Sequence, residues 1–291
     1  SHTLPDHPKL LHALLDKIEI DSIKGNELLS FFDGLVTVSS RLEDAKVLLN
    51  KLSELNKIDS DKFANMAKHI TPAFLEHVHI NDFIEIIDNM NMRFGGQRAS
   101  KKQERLFYTD LAVQLLAKDL NKEQLGNVIG VVQAYPEHKD ELTQILINLD
   151  TPALQSIPLQ IRQLQDQAID ISSMITKFKS DAESFKNTLI NVQKFEPKSQ
   201  SEVIRLIQRL TIDDKEAYAA FLDNLKVEGI EILIHALSTA GRAVPMPSLK
   251  ELNQFIAEHT PLTKENVQTY LVTLQGDLLK KRDKALASQF D

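Results

Sequence analysis

A short basic segment in the middle of the chain has the residue types of an anion-binding site. Its cations are Arg93, Arg98, Lys101, Lys102 and Arg105. One acid, Glu104, lies among these five cations, so the segment has a local charge of +4 in a chain whose net charge is -7. Phe94, Phe107 and Tyr108 are close by in sequence. Because cations can neutralise phosphates and aromatic rings can stack on bases, the segment is a candidate site for an anionic partner or a nucleic acid.

Two structural interpretations of this segment stand beside the functional one. The cations can lie in a solvated loop and first helical turn, or they can pair with an acidic neighbour elsewhere in the fold. The acidic net charge, the restriction to a single patch and the absence of Trp argue against nucleic acid as the main ligand. We therefore expect other protein subunits as partners, with RNA as the alternative.

The common sequence signatures of catalysis and cofactor binding are missing. With no Cys in the chain, a disulfide scaffold, a Cys-ligated metal site and a Cys nucleophile are excluded. Gly95 and Gly96 lack the Gly-Lys-Ser/Thr and the preceding strand of a phosphate-binding loop. Neither an HExxH motif nor the paired ExxH motifs of a di-iron bundle occur. We predict no catalytic residue, no metal and no cofactor, and a protein that is not an enzyme.

Histidines and acidic pairs are interpreted as structural. His77 and His79 are two residues apart, so they leave a helix on different sides and make a poor metal-binding pair. His69 and His235 fall at or near predicted helix ends, where hydrogen-bonded structural roles are expected. Acidic pairs such as Asp213–Asp214 fall in first helical turns, where negative charge is stabilising by about 0.3–1 kcal/mol.

The elements that position these residues are predicted to be helices. Apolar residues recur at steps of three and four almost throughout, and a typical face comprises Val203, Ile204, Leu206, Ile207 and Leu210. Strand-like alternation is scarce, and the best example, Ile18–Ile20, is too short to form a sheet. The predicted fold is therefore all-α without a sheet and contains about 15 short helices.

Seventeen helical segments can be delimited, and two or more of them are expected to merge or to be single turns. They cover residues 8–18, 27–38, 41–55, 60–69, 72–78, 82–91, 101–118, 122–134, 137–148, 158–168, 171–178, 182–194, 200–210, 214–225, 228–238, 249–258 and 264–288. Many begin at a recognisable cap. Predicted capping boxes start at Ser40, Ser100, Ser180, Ser199 and Ser248; Thr-Pro caps start at Thr71, Thr151 and Thr260; further caps are Asn26, Asn81, Asn121 and Asp213.

The spacing of these segments predicts an irregular array of helical hairpins. A pair of helices occupies about 30–40 residues, the size of one unit in a helical-repeat array, where each hairpin buries its apolar face against its neighbours. Faint breaks divide the chain into 1–92, 93–244 and a C-terminal hairpin at 245–291, although one continuous domain is an alternative. The terminal helix, with Lys280, Lys281, Arg282 and Lys284, suits a cap whose outer face stays wet.

These features predict a non-enzymatic interaction or scaffold protein, acting as a structural or accessory subunit of a larger assembly. The alternative is an RNA-binding helical-repeat protein that uses residues 93–105, and a further alternative is a bacterial effector or an enzyme on a helical fold. No apolar run approaches the ~18 residues of a membrane helix. An intracellular protein, cytoplasmic or mitochondrial, is expected, and a chain that begins at Ser1 without Met is compatible with removal of a targeting segment or with trimming.

Overall fold

A computed structural model describes residues 40–74, 79–241 and 244–287 of the 291-residue chain. Within these ranges the protein has fourteen α-helices and no strand, which confirms the predicted all-α class. The helices predicted at 8–18 and 27–38 lie outside the described residues. None of the described helices combines the length and apolar composition that a membrane crossing requires.

The helices follow one another with short connections. They are α1 (Ser40–Leu52), α2 (Ser60–Phe74), α3 (Ile80–Phe94), α4 (Ala99–Gln114), α5 (Lys122–Ala134), α6 (Lys139–Ile147), α7 (Thr151–Asp166), α8 (Ser172–Lys177), α9 (Ala182–Val192), α10 (Pro197–Arg209), α11 (Lys215–Asn224), α12 (Ile230–Thr239), α13 (Leu249–His259) and α14 (Lys264–Ala287). Single 3-10 turns occupy Ser53–Lys57, Leu116–Lys118 and Pro136–His138. Helix α14, with 24 residues, is the longest helix in the described part of the chain.

Capping boxes form at two predicted helix starts: at Ser248, where a box was predicted, and at Asn121, which was predicted as a simple cap. The Asn121 side chain accepts a hydrogen bond from the backbone N–H of Gln124, whose side chain accepts in turn from the backbone N–H of Asn121. Ser248 and Glu251 make the same reciprocal pair at the start of α13. Each box satisfies backbone N–H groups that have no partner within the helix, so the motif defines where the helix begins.

Other helix starts were predicted at the wrong residue. Helix α4 follows Arg98, not Ser100, and α10 begins at Pro197, two residues before the predicted cap Ser199. Proline suits the first helical position because its missing N–H would have no partner there. Asp181 and Asp214 act as caps, each one residue after the predicted position, because a carboxylate is a strong acceptor for the first amides. Asn81 lies within α3, whose cap residue is His79.

The Thr-Pro pairs do not all begin helices. Thr71 and Pro72 lie inside α2, so the predicted helices 60–69 and 72–78 join at least to Phe74. Helix α7 begins at Thr151, seven residues before the predicted segment 158–168, and continues through Pro158. Asp150, not Thr151, accepts from the backbone N–H of Ala153 at 3.0 Å. Proline removes one backbone hydrogen bond without ending the helix when the apolar face on both sides of it is buried. Thr260 ends α13, and α14 begins only at Lys264.

The helices fall into two compact units. One unit extends to Pro136 and includes Asp150–Pro158; the other comprises Glu137–Leu149 and the chain from Leu159. In the first unit, α1 packs against α2 and α3, α2 against α4, and α5 against both α3 and α4. Helices α3 and α4 also pack against each other, so the basic segment lies where an antiparallel helix pair turns. The predicted three-part division of the chain stays a prediction.

In the second unit, helices contact the helix two positions further along. Helices α6, α8, α10, α12 and α14 form one such series, and α9, α11 and α13 form another. The buried hydroxyl of Tyr218 lies 2.6 Å from that of Thr188, 30 residues earlier in the chain. The aromatic ring of Tyr218 also packs 5.5 Å from that of Phe178. Burial raises the pKa of the Tyr218 phenol, which therefore stays neutral.

Basic side chains hold the C-terminal ends of two helices in this unit. Lys177 Nζ donates hydrogen bonds to the carbonyl oxygens of Ile207 and Gln208, 2.9 Å each, and to that of Leu210. Arg209 in turn donates to the carbonyl oxygen of Leu237 in the last turn of α12 and to those of Gly241 and Val244 after the helix. The last carbonyls of a helix lack partners within the helix, so each cation stabilises the end of the helix that it reaches.

Candidate anion-binding site

The turn between α3 and α4 depends on Gly95. A Cβ atom at Gly95 would come within 2.2 Å of the backbone oxygen of Asn91, so this position excludes a side chain. At Gly96 a Cβ atom would lie 2.9 Å from the side chain of Lys101, which covers the turn. Gly95 therefore lets the chain leave α3 tightly, whereas a side chain at Gly96 would displace only the flexible end of Lys101.

This turn borders a cleft of about 350 Å³, named here the basic cleft. It is lined by Glu54, Lys57, Ile58, Phe94, Gly95, Gly96, Gln97, Lys102 and Arg105. Three cations and one carboxylate are among these residues, so the lining has a net positive charge. Two of the five predicted cations, Lys102 and Arg105, belong to it, while Lys57 comes from the 3-10 turn after α1.

Arg105 is the least exposed cation of the basic cleft, with 8 % of its surface accessible. Its Nε donates to Asn91 Oδ1 at 2.8 Å, and its Nη1 lies 3.4 Å from Glu54 Oε2. The Glu54 side chain is 70 % exposed, so water screens this ion pair and makes it weak. A guanidinium has five N–H donors, more than these two contacts use.

The remaining predicted cations have different positions. Arg98 and Lys101 are exposed at the start of α4, as is Lys102. None of these three forms an ion pair within the described part of the chain. Arg93 is bound elsewhere: its Nη1 donates to Gln133 Oε1 at 3.2 Å, and its guanidinium lies 5.2 Å from the centre of the Phe94 ring. Arg93 therefore belongs to the contact between α3 and α5.

The aromatic residues of the segment form packing contacts with one another. Phe94 and Tyr108 stack with their centres 5.5 Å apart and are only 8 % and 7 % exposed. Phe107 meets the edge of Tyr108 at 5.1 Å. Burial raises the pKa of Tyr108. Little of the Phe94 and Tyr108 rings is accessible for stacking on a base, so the interleaving of basic and aromatic residues reflects core packing.

Sequence reasoning missed Lys57 and Glu54. They precede the basic segment by about one helix pair, and no sequence motif connects them to it. Only the packing of the 3-10 turn beside α4 adds a third cation and a carboxylate to the cleft. The resulting arrangement can bind an anion through hydrogen bonds and charge.

The histidines make no comparable site. No group of three or more potential metal ligands is found among the described residues, and His77 lies outside them. His79 precedes α3, with Nδ1 3.8 Å from Asp82 Oδ2. His235 is exposed, and its Nδ1 lies 2.8 Å from Glu202 Oε1. This hydrogen bond is the structural role that was expected of His235.

Comparison of the chain with protein-family models, with curated proteins and with solved structures gives no match. The basic cleft is therefore interpreted from its own chemistry.

Proposed function

We propose that this protein is a non-enzymatic interaction subunit of a larger assembly, and that its basic cleft binds an acidic segment of a protein partner. One observation carries the proposal: Lys57, Lys102 and Arg105 line a single cleft although they come from separate parts of the chain. Three cations beside one exposed carboxylate attract carboxylate groups, and an arginine can bind a carboxylate through two parallel hydrogen bonds.

The contacts between helices support the interaction role. In the second unit, polar side chains of one hairpin reach the next at separations of about one helix pair, such as 30 residues between Lys177 and Ile207 and 33 between Glu202 and His235. Hairpins stacked in this way cover one another's apolar faces and leave their outer flanks for partners. An irregular stack of hairpins is thus the architecture that we propose for the chain.

The size and surroundings of the cleft favour a protein over a nucleic acid. A cleft of about 350 Å³ can accommodate a few side chains, whereas single-stranded nucleic acid is bound along a charged groove with accessible aromatic rings. Phe94 and Tyr108 are buried, and the net charge of -7 repels a polyanion at long range. The exposed cations Arg98 and Lys101 are the feature that favours RNA, so RNA is included in the test.

The test measures the binding of three labelled ligands to the full chain by fluorescence anisotropy. They are a short Asp/Glu-rich peptide, its Asn/Gln counterpart and a single-stranded RNA, each at about 50 and about 200 mM salt. We expect the acidic peptide to bind at least about tenfold more tightly than the neutral one, with Lys57→Glu plus Lys102→Glu removing the difference. Lys198→Glu, at an exposed lysine of α10, is the matched control and should leave binding unchanged.

Equal binding of the acidic and neutral peptides would contradict the proposal, as would an unchanged affinity in the double variant. RNA binding that weakens steeply with salt and is abolished by charge reversal at Arg98, Lys101 and Lys102 would replace it with the RNA-binding function. Circular dichroism of each variant confirms that the helices are intact.

A further inference from the structure

A second cleft lies in the C-terminal hairpin, between residues of α13 and α14. Its volume is about 350 Å³, and it is lined from α13 by Phe255 and His259 and from the start of α14 by Glu265, Asn266, Thr269 and Tyr270, with Thr263 and Thr273 at its ends. A volume of this size falls within the range of about 300–1,000 Å³ that is typical of small-molecule sites. We call it the C-terminal cleft.

Aromatic rings form one wall of the C-terminal cleft. The rings of Phe255 and Tyr270 are almost parallel, 6° apart in orientation, with their centres separated by 3.9 Å. His259 stacks on Phe255 at 4.5 Å. Burial and the nearby carboxylate of Glu251 raise the pKa of Tyr270 to about 12. The Tyr270 phenol is therefore neutral at physiological pH. Phe255 is only 7 % exposed and has both other rings stacked on it, so Tyr270 and His259 supply the accessible aromatic surface. The face of the neutral Tyr270 ring is electron-rich.

Two of the three threonine hydroxyls of the cleft have already donated their hydrogens. Thr269 donates to the backbone oxygen of Glu265 at 3.0 Å, and Thr273 donates to that of Thr269 at 3.1 Å. A hydroxyl has one hydrogen and two lone pairs, so these two side chains keep acceptor capacity only. The Thr263 hydroxyl differs: it accepts from the backbone N–H of Asn266 at 3.3 Å and keeps its own hydrogen as a donor.

The amide of Asn266 uses one of its two N–H donors within the hairpin and keeps the other. Asn266 Nδ2 donates to the backbone oxygen of His259 at 3.2 Å, and its Oδ1 accepts from the backbone N–H of Thr263 at 2.9 Å. His259 Nδ1 lies 2.9 Å from the carbonyl oxygen of Phe255, a contact that requires the proton on Nδ1. The Nε2 of the neutral ring is then an acceptor.

Glu265 supplies the charge of the cleft. Its carboxylate is exposed and forms no ion pair within the described part of the chain, and neither lysine nor arginine lines the cleft. The cleft therefore combines one negative charge, an aromatic wall and hydrogen-bonding groups of both kinds, and the buried Tyr270 hydroxyl has no hydrogen-bond partner within the described residues. A metal ion is poorly suited to it because no group of three potential ligands is found among the described residues. A cation with an apolar body matches both the charge and the aromatic wall.

We propose that the C-terminal cleft binds a small organic cation of the alkylammonium class. The methyl or methylene groups pack on the aromatic wall, and the charge lies near Glu265. The cation can be a free amine or the alkylated ammonium of a lysine in a partner, since the cleft would recognise the same chemistry in both. This site is separate from the basic cleft, so either proposal can fail without the other.

The test compares choline with its uncharged carbon analogue 3,3-dimethylbutan-1-ol on the full chain, by calorimetry and by NMR shifts of the threonine methyl groups. The two ligands have nearly the same shape, so their difference isolates the charge. We expect choline to bind at least about tenfold more tightly than the alcohol. A peptide with trimethyllysine, compared with its unmodified form, tests whether the source of the cation is a protein.

Two variants and a control test whether the residues of the cleft bind the cation. Glu265→Gln is expected to weaken choline binding by about five- to tenfold, and Tyr270→Leu by at least as much. Glu258→Gln is the matched control, because Glu258 is an exposed acid of α13 that accepts from Gln254 and does not line the cleft. Equal binding of choline and the alcohol, no detectable binding of either choline or the trimethyllysine peptide, or an unchanged affinity in Glu265→Gln would overturn the proposal.

Discussion

Replacement of Lys177 by methionine tests whether one helix of the second unit stabilises the end of another. Lys177 closes α8, and its ammonium group donates to the carbonyls of Ile207, Gln208 and Leu210 at the end of α10. Methionine keeps the length and apolar stem of the side chain but removes every donor. The Lys177→Met variant therefore removes the hydrogen bonds while largely preserving the packing.

The expected loss is about 2–4 kcal/mol in the free energy of unfolding. A hydrogen bond to a charged group contributes about 1.5–3 kcal/mol, and the Lys177 ammonium group makes three of them. Two effects reduce the sum. Burial lowers the pKa of Lys177, which shows that the charged amine has a desolvation cost in the folded state. The side chain is also only partly buried, so water can hydrogen-bond to some of the released carbonyls.

Urea unfolding followed by circular dichroism measures the change, and hydrogen exchange of the peptide around residues 200–212 locates it. The Lys177→Met variant should show faster exchange in this peptide, because the end of α10 frays when its carbonyls lose their partner. Lys179→Met is the control, since Lys179 is exposed and its substitution should change stability by less than about 0.5 kcal/mol. If both variants unfold within about 0.5 kcal/mol of the wild type, the reasoning is refuted.

Two further predictions concern helix termini and use paired variants. Gly229→Ala should destabilise the protein by more than Gly241→Ala. Both glycines have positive φ angles, so alanine is strained at either position. Only at Gly229 would the added Cβ atom also clash with the backbone, because it would lie 2.1 Å from the carbonyl oxygen of Leu262. Thermal denaturation of the two variants ranks them, and an equal loss would contradict the steric argument. Asn121→Ala should cost about 1 kcal/mol through loss of its capping box. Ser100→Ala should lower the free energy of unfolding by less than about 0.5 kcal/mol, because Ser100 does not cap α4. A larger loss in urea unfolding would show that Ser100 does act as a cap.

Local signals predicted the individual helices well where one cap dominates. Helix α5 spans Lys122–Ala134 as predicted, since Asn121 is the single strong cap before a clear apolar face. Prediction failed where two caps compete or where packing carries a helix past a local stop. Ser199 looked like a cap, but Pro197 begins α10, and α2 continues through Pro72. A cap is worth only about 1 kcal/mol, so burial of a longer apolar face readily outweighs it.

For the candidate site, the sequence predicted the local charge but not the arrangement of the charged residues. The local excess of cations at 93–105 was visible from composition alone, because charge is a property of each residue. The sequence did not show which of these cations share a cleft. Arg93 donates a hydrogen bond to Gln133, while Lys57 lines the same cleft as Lys102 and Arg105. The C-terminal cleft also escaped detection, because the residues that supply its aromatic wall and its carboxylate come from two different helices.

The sequence by itself therefore determined the all-α class and most helix positions, because the helical period and the caps act over only a few residues. Tertiary structure alone decided which side chains from distant helices meet, which aromatic rings are buried and which polar groups keep a free donor or acceptor. Those outcomes depend on packing between segments about one helix pair apart, and no pattern within a single helix encodes that packing.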